Sequence, residues 1–402
     1  MKGGVFVSKA LAPTIKYTLI QGSYWGVYCA IVTFSSVYLL AQGFTNSQIG
    51  LVISLSGILS AILQPVISGM ADRLKRLSLR QFAALLVLLQ AGASGLLLIL
   101  PGMIPQALLY GLLIVMIQVV LPLCSALGMA CINSGNTMNF GVARGAGSIS
   151  YGVFSALCGQ LVLWFGEVSI PLAMTLLNLA LMASILIFKF KGMEDQPQTA
   201  QHQEKNKGGR PFVFKYHGVI PLVVGVILLL VSHNALNTYA FQIVTPLGGD
   251  SAAMGNMLLI QSLVELPVMF LFSWMIAKAS SRFWLCVSGV GFFLHAFGAF
   301  LAPNMFWMNV IQVFEMPGYA VFALASIYFV NEMVEESERV QGQAWITMAM
   351  TLGNVLASFV GGILLDYTSV FCLLTFASLA GAVGMLLFFL LLRKGSRTLH
   401  PR

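Results

Sequence analysis

Charge is what this chain has least of: Lys, Arg, Asp and Glu make up 8% of it, against 58% hydrophobic residues. A soluble chain of 402 residues cannot bury that much apolar surface and stay dissolved. Histidine is scarce too, five in all, and two of them, His202 and His400, fall in a polar segment and in the tail. No cluster of His, Asp and Glu ligands and no nucleophile–base pair stands out, so an enzyme is not expected. Nor is any stretch long and polar enough for a soluble sensory domain. The six cysteines (Cys29, Cys124, Cys131, Cys158, Cys286, Cys372) lie in apolar stretches without metal-ligand spacing and read as small apolar fillers. No metal and no cofactor is implied. The alternating ten-residue segments of a β-barrel are missing. The N-terminus lacks the basic run, short apolar core and small-residue site of a cleavable signal, so the first apolar stretch is expected to stay as an anchor.

What is there is apolar sequence in long blocks. Helices satisfy their own backbone groups in lipid, and the blocks predict about twelve spans of roughly 20 residues or more. They fall at 17–40, 47–70, 80–100, 106–130, 140–165, 168–188, 217–244, 253–277, 283–301, 306–330, 341–365 and 369–392. The fold class is therefore all-α integral membrane. The formal charge of +8 would suit nucleic acid until its placement is considered. Lys2, Lys9 and Lys16 precede the first span; Arg73, Lys75, Arg76 and Arg80 follow the second. Lys189, Lys191, Lys205, Lys207, Arg210 and Lys215 lie between the sixth and seventh. Lys278, Arg282, Arg339, Arg393, Lys394, Arg397 and Arg402 complete the set, all on one side. By the positive-inside rule both termini are cytoplasmic in a cell membrane, and no nucleic-acid surface is formed.

One polar stretch, "KGMEDQPQTAQHQEKNKGGRPF" (191–212), reads as a cytoplasmic linker. It divides the chain into a six-helix bundle at 1–190, a linker at 191–215 and a second six-helix bundle at 216–402. The halves echo each other: "LQPVISGM" in span 2 against "ELPVMFLF" in span 8, "SALCGQL" in span 5 against "SFVGGIL" in span 11. Two such copies joined on the cytoplasmic side are the mark of parallel repeats in secondary transporters, with the solute held between pseudo-symmetric halves in a central cavity near the midplane.

Charges deep in spans carry the chemistry, because each costs about 2.5–3.5 kcal/mol to insert. They are Arg144, Glu265 and Glu315, with His295 beside them. In "NFGVARGAGSISYGVFSAL" (139–157), Arg144, Ser148, Tyr151 and Ser155 follow i, i+4, i+7, i+11 on one face. A cation, a hydroxyl and an aromatic ring suit a polar solute with a ring-shaped side. Gly141, Gly145, Gly152 and Gly159 are expected to pack helices closely. In "NVIQVFEMPGYAVF", Gln312, Glu315 and Tyr319 share a face; in span 8, Gln261 and Glu265 do so just before Pro267, where a kink is expected. In span 7, His233 and Asn237 are placed to line the cavity, with Gln21 and Tyr28 as weaker candidates and Trp25 read as packing. One carboxylate can pair with Arg144. The other, buried without a fixed partner, is poised to take and release a proton. Glu315 is assigned that role, with His295 as its relay.

These motifs resemble the major facilitator superfamily, and within it the lactose permease-like oligosaccharide:proton symporters and their phenylpropionate permease relatives. The resemblance runs nearly the full chain. "LQPVISGMADRLKR" is similar to the superfamily's cytoplasmic loop motif, which implies a gate at Asp72 and Arg73, although Ser68 stands for a usual glycine. On the same resemblance Arg144 falls on a sugar-binding arginine, Tyr151 on the aromatic that stacks under the sugar, and Glu315 on the proton-coupling glutamate. Gln312 replaces a histidine, His295 falls on an arginine, and a span-4 carboxylate is missing at Ala126 and Ala130. Lactose itself is therefore not implied. The expected function is proton-coupled symport of a small polar solute (sugar, glycoside or nucleoside) by alternating access, by a monomer in a lipid bilayer and with the proton gradient as its energy source. The alternatives are import of an aromatic or organic acid clamped by Arg144, and proton-driven efflux of hydrophobic compounds.

Overall fold

The computed structural model describes residues 3–73, 77–190, 216, 219–335 and 338–393, and all regular structure among them is helical. The helices are α1 (Gly3–Tyr28), α2 (Ser35–Ala41), α3 (Asn46–Arg73), α4 (Leu79–Leu96), α5 (Met103–Asn133), α6 (Phe140–Phe165) and α7 (Ser169–Ile187). They continue as α8 (Val219–Thr238), α9 (Ala240–Val244), α10 (Ser251–Lys278), α11 (Ser281–Leu301), α12 (Met305–Val310), α13 (Val321–Met333), α14 (Arg339–Tyr367) and α15 (Val370–Arg393). Among the described residues eleven helices are long and apolar enough to cross a membrane, or twelve when a pair bent by 44° around Phe34 counts as one span. Leu55, Ile62, Leu108, Phe270 and Leu390 are among many large apolar side chains left exposed, as a lipid-facing surface requires. The expected linker at 191–215 lies outside the described residues.

Polar residues between the apolar blocks start the helices. Ser78 and Gln81 form a reciprocal capping box on α4. Asn139 caps α6 through Val142 N at 3.1 Å, and Asp250 caps α10 through Ala253 N at 2.8 Å. Gly166 ends α6 with φ 73°, a conformation that suits glycine.

Three predicted spans are less regular than their hydropathy suggests. The first is interrupted by a π-helical turn at Cys29–Thr33, which causes the bend. The seventh breaks at Tyr239, between Thr238 and Ala240. The tenth changes to a 3-10 turn at Ile311–Glu315 and then to a π turn at Met316–Ala320 before α13 resumes. Pro317 has no N–H to continue the α-helical ladder, so the interruption falls beside Glu315. At Pro267 the helix is not interrupted, and α10 runs through it from Ser251 to Lys278.

By contact density the chain forms two units, 1–44 with 55–203, and 45–54 with 204–402. In the first, α1 packs along α6 and α7, and α4 along α5 and α7. In the second, α8 packs against α14 and α15, and α11 against α13 and α15. Its core is built around Leu229, Phe292, Phe322 and Phe388.

The second unit takes up the first turns of α3. Asp366, near the end of α14, accepts from the backbone N–H groups of Asn46 (3.0 Å) and Ser47 (2.7 Å), which the helix itself leaves unpaired. A carboxylate at a helix N-terminus also meets the positive end of the dipole. The backbones touch: a Cβ at Gly50 would lie 2.2 Å from the Ser358 carbonyl oxygen. Asp366→Ala should lower stability by about 1 kcal/mol, the scale of a lost cap at an exposed site. A thermal melt unchanged from the parent would show the cap to be idle.

Candidate functional site

The second unit holds a buried acid between two imidazoles. Glu315 is 1% exposed and ends the 3-10 turn. Its Oε1 lies 2.8 Å from Nδ1 of His295 on α11 and 3.1 Å from Nδ1 of His233 on α8. With the carboxylate ionised, both rings donate Nδ1–H to the same oxygen. Glu315 Oε2 and His295 Nε2 are buried without a hydrogen-bond partner among the described residues.

Backbone contact brings these groups together. Gly291 sits one turn before His295, and a Cβ there would lie 2.3 Å from Gly318 N and 2.6 Å from the Pro317 carbonyl carbon. The missing side chain at Gly291 lets α11 approach the irregular turn so closely, and a Cβ at Gly318 would itself meet α11 backbone at 3.3 Å.

His233 is held on its faces. The Tyr319 ring stacks on it with centroids 4.6 Å apart and planes within 3°, and Phe292 meets it edge-on. Asn237 Nδ2 lies 3.2 and 3.4 Å from the two ring nitrogens and donates to the His233 carbonyl oxygen at 3.0 Å. Gln261 Nε2 on α10 donates to Asn237 Oδ1 at 3.3 Å, so a line of amides leads away from the imidazole. Glu265, one turn beyond Gln261, is buried and close enough to Glu315 for their charges to interact. Gln312 is buried, donates to the Met308 carbonyl oxygen at 3.0 Å and leaves Oε1 unpartnered.

The sequence reading joins His295 to Glu315 and sets His233 with the solute-lining residues. In the structure His233 touches the acid directly. The i, i+4 spacing with Asn237 is visible in sequence, but the side of α8 that meets Glu315, 82 positions away, is not. The ligand atoms of His233, His295 and Glu315 lie within 4.8 Å of one another, a spacing that would also admit a metal ion. Two hydrogen bonds converging on one oxygen account for that spacing without an ion.

The first unit holds the α6 stripe. Arg144, in the second turn of the helix, is exposed, and Ser148 and Tyr151 are half-buried on the same face. Tyr151 shares a hydrogen bond of 3.0 Å with Thr33 in the π turn. Its ring, with those of Trp25 and Tyr28, forms a cluster with centroids 5.3 to 6.4 Å apart. Ser155 departs from the expected lining: it is fully buried, 3.2 Å from Cys29 Sγ, because the stripe rolls under α1 one turn on. A close helix contact falls at Gly147, which the spacing of the other glycines does not single out; a Cβ there would lie 2.5 Å from Trp25 Cδ1. Trp25 thus packs, as expected, and also presents its ring beside Tyr28 and Tyr151. Gln21 is buried and donates to Tyr17 Oη at 2.9 Å. Asp72 and Arg73 end α3, and their side chains lie outside the described residues.

A multi-pass helical membrane protein whose charges are kept for a few interior positions, and not for catalytic dyads, has the build of a solute transporter. The chain matches the family model described as the MFS_1 like family over residues 17–376, and it belongs to that family. It is a membrane transporter of the major facilitator type and not an enzyme. An uncharacterized transporter of Bacillus subtilis (strain 168), YwbF, is 24% identical over 398 residues, covering 96% of each chain. Among solved structures, the nucleoside transporter NupG superimposes with TM-score 0.77 at 15% identity, covering 95% of this chain and 99% of that one. The peptide transporter POT, as a point mutant in complex with alafosfalin, gives TM-score 0.66 at 13% identity, covering 96% and 93%. At these identities the likeness is one of fold.

Proposed function

We propose that this protein is a proton-coupled symporter of a small, polar, ring-bearing solute, with nucleosides the first class to test and sugars or glycosides next. The observation that carries the reading is the Glu315 carboxylate, buried in a membrane span with two imidazoles on one oxygen and nothing on the other. Groups that change charge are costly there and persist where protons move. The Asn237–Gln261 amides supply donors and acceptors of the kind a base or sugar needs. The Trp25–Tyr28–Tyr151 rings supply a face for stacking, and the fold shared with a nucleoside transporter supports the choice. We place the protein in the cell membrane, both termini cytoplasmic, working as a monomer by alternating access without a bound cofactor.

A second reading rests on Arg144. An exposed cation on the helix that carries Tyr151 suits the carboxylate of an aromatic acid, which would make that acid the solute.

The test is a pH electrode outside de-energised vesicles that carry the protein. Uridine, adenosine, melibiose and 3-phenylpropionate are added in turn. Alkalinisation of the medium on adding a neutral solute supports the first reading, and a response to the acid alone supports the second. Uptake of a labelled compound with no movement of pH would remove proton coupling altogether.

A further inference from the structure

We propose that the proton taken up by this cluster resides on His295, at Nε2, and that Glu315 stays ionised as its counter-ion. The inference rests on the proton-coupled reading above and names the atom that reading leaves open.

Three places can accept the proton, and the geometry separates them. Protonating Glu315 at Oε1 would set an O–H against the two N–H groups already pointing at that oxygen. Protonating Oε2 would leave a buried O–H with no acceptor, and would turn a carboxylate holding two donors into a weaker acceptor. At His233 the added proton would meet the Asn237 amide nitrogen, itself a donor, 3.2 Å from Nε2 and tied to the backbone carbonyl. His295 Nε2 has no donor against it. Its proton also lacks an acceptor, so burial opposes Nε2 and Oε2 alike. Two differences remain. Imidazole is intrinsically the more basic group, and the 2.8 Å Nδ1–H to Oε1 bond, already made to an ionised acceptor, becomes an ion pair with both partners charged once the ring is cationic.

Among the described residues, the other ionisable groups at the cluster are Tyr319, stacked on His233, and Glu265, buried and close enough to Glu315 for the two to interact. Among the described residues no Lys or Arg pairs with Glu315. The step balances simply. A proton from the medium adds to the Nε2 lone pair, Nδ1–H stays on Oε1, and release reverses it. The cluster goes from one net negative charge to none, and the Nδ1–H to Oε1 hydrogen bond, which becomes an ion pair on protonation, stays in place throughout.

The test is magnetic resonance on the full chain in lipid bilayers, with ¹⁵N in the histidine rings and ¹³C in the glutamate carboxyls. His295→Gln and His233→Gln assign the ring signals, and Glu315→Gln the carboxyl. As pH falls, the pyridine-type nitrogen signal of His295 should disappear into a doubly protonated ring while Glu315 keeps its carboxylate shift. A carboxylic acid signal at Glu315 with His295 still singly protonated would overturn the proposal, and so would double protonation at His233 in place of His295. Those results leave proton coupling intact. If neither ring nor Glu315 titrates, the proton-coupled reading fails and this proposal with it.

Discussion

Glu315→Gln should abolish gradient-driven accumulation, by at least about 100-fold, while exchange of solute across a membrane without a gradient stays within about threefold of the parent. The carboxamide has nearly the size of the carboxyl and can still accept from one imidazole. What it lacks is the charge that makes proton uptake by the cluster favourable, because both Nδ1 contacts converge on this side chain and no Lys or Arg among the described residues replaces it. Exchange needs only the reorientation of the loaded protein, in which the proton need not come off. Labelled solute uptake under an imposed pH gradient, beside counterflow in the same vesicles, separates the two. Equal losses in both assays would make Glu315 a structural or solute-binding group, and unchanged accumulation would remove it from coupling.

The second large effect concerns a residue with no chemistry of its own. Gly291→Ala adds one methyl group, and that carbon would lie 2.3 Å from Gly318 N, in backbone that cannot step aside as a side chain can. Overpacking of this kind costs about 1–3 kcal/mol even where side chains can adjust. The strain falls on the turn that carries Glu315 and on the helix that carries His295, so transport should fall along with stability. Gly298→Ala is the control on the same helix, since its new carbon meets Cγ2 of the Ile311 side chain at 2.9 Å. Melting of the purified protein and uptake in vesicles would be compared for both. If Gly291→Ala melts and transports like the parent, the close approach does not hold the cluster together.

Both predictions concern places where sequence is informative in different degrees. Glu315, Glu265 and Arg144 are legible because a charge in an apolar block violates the pattern around it. The α6 stripe is legible for three residues, since i, i+4, i+7 defines a face on any straight helix. It fails at Ser155, where that face passes under α1, and packing between helices is not written in the period of either. Gly291 and Asp366 do not stand out in sequence, since a glycine in a span and an acid at a span end are common. Their significance is in what lies opposite them: the Gly318 backbone for one, the first amides of α3 for the other. The interruption at Pro317 has a visible cause, but its form, a 3-10 turn passing into a π turn, does not.

Hydropathy and helical period are sums over neighbouring residues, so they settle what kind of molecule this is: helical, membrane-spanning, with eleven or twelve spans near the expected places and few interior charges. Which of those charges meet is a different kind of quantity. It depends on pairs of residues far apart in the chain, on the rotation of each helix about its axis, and on two glycines that allow backbones to touch. His233, His295 and Glu315 come from three helical segments, and only the packed chain brings two imidazoles onto one carboxylate oxygen.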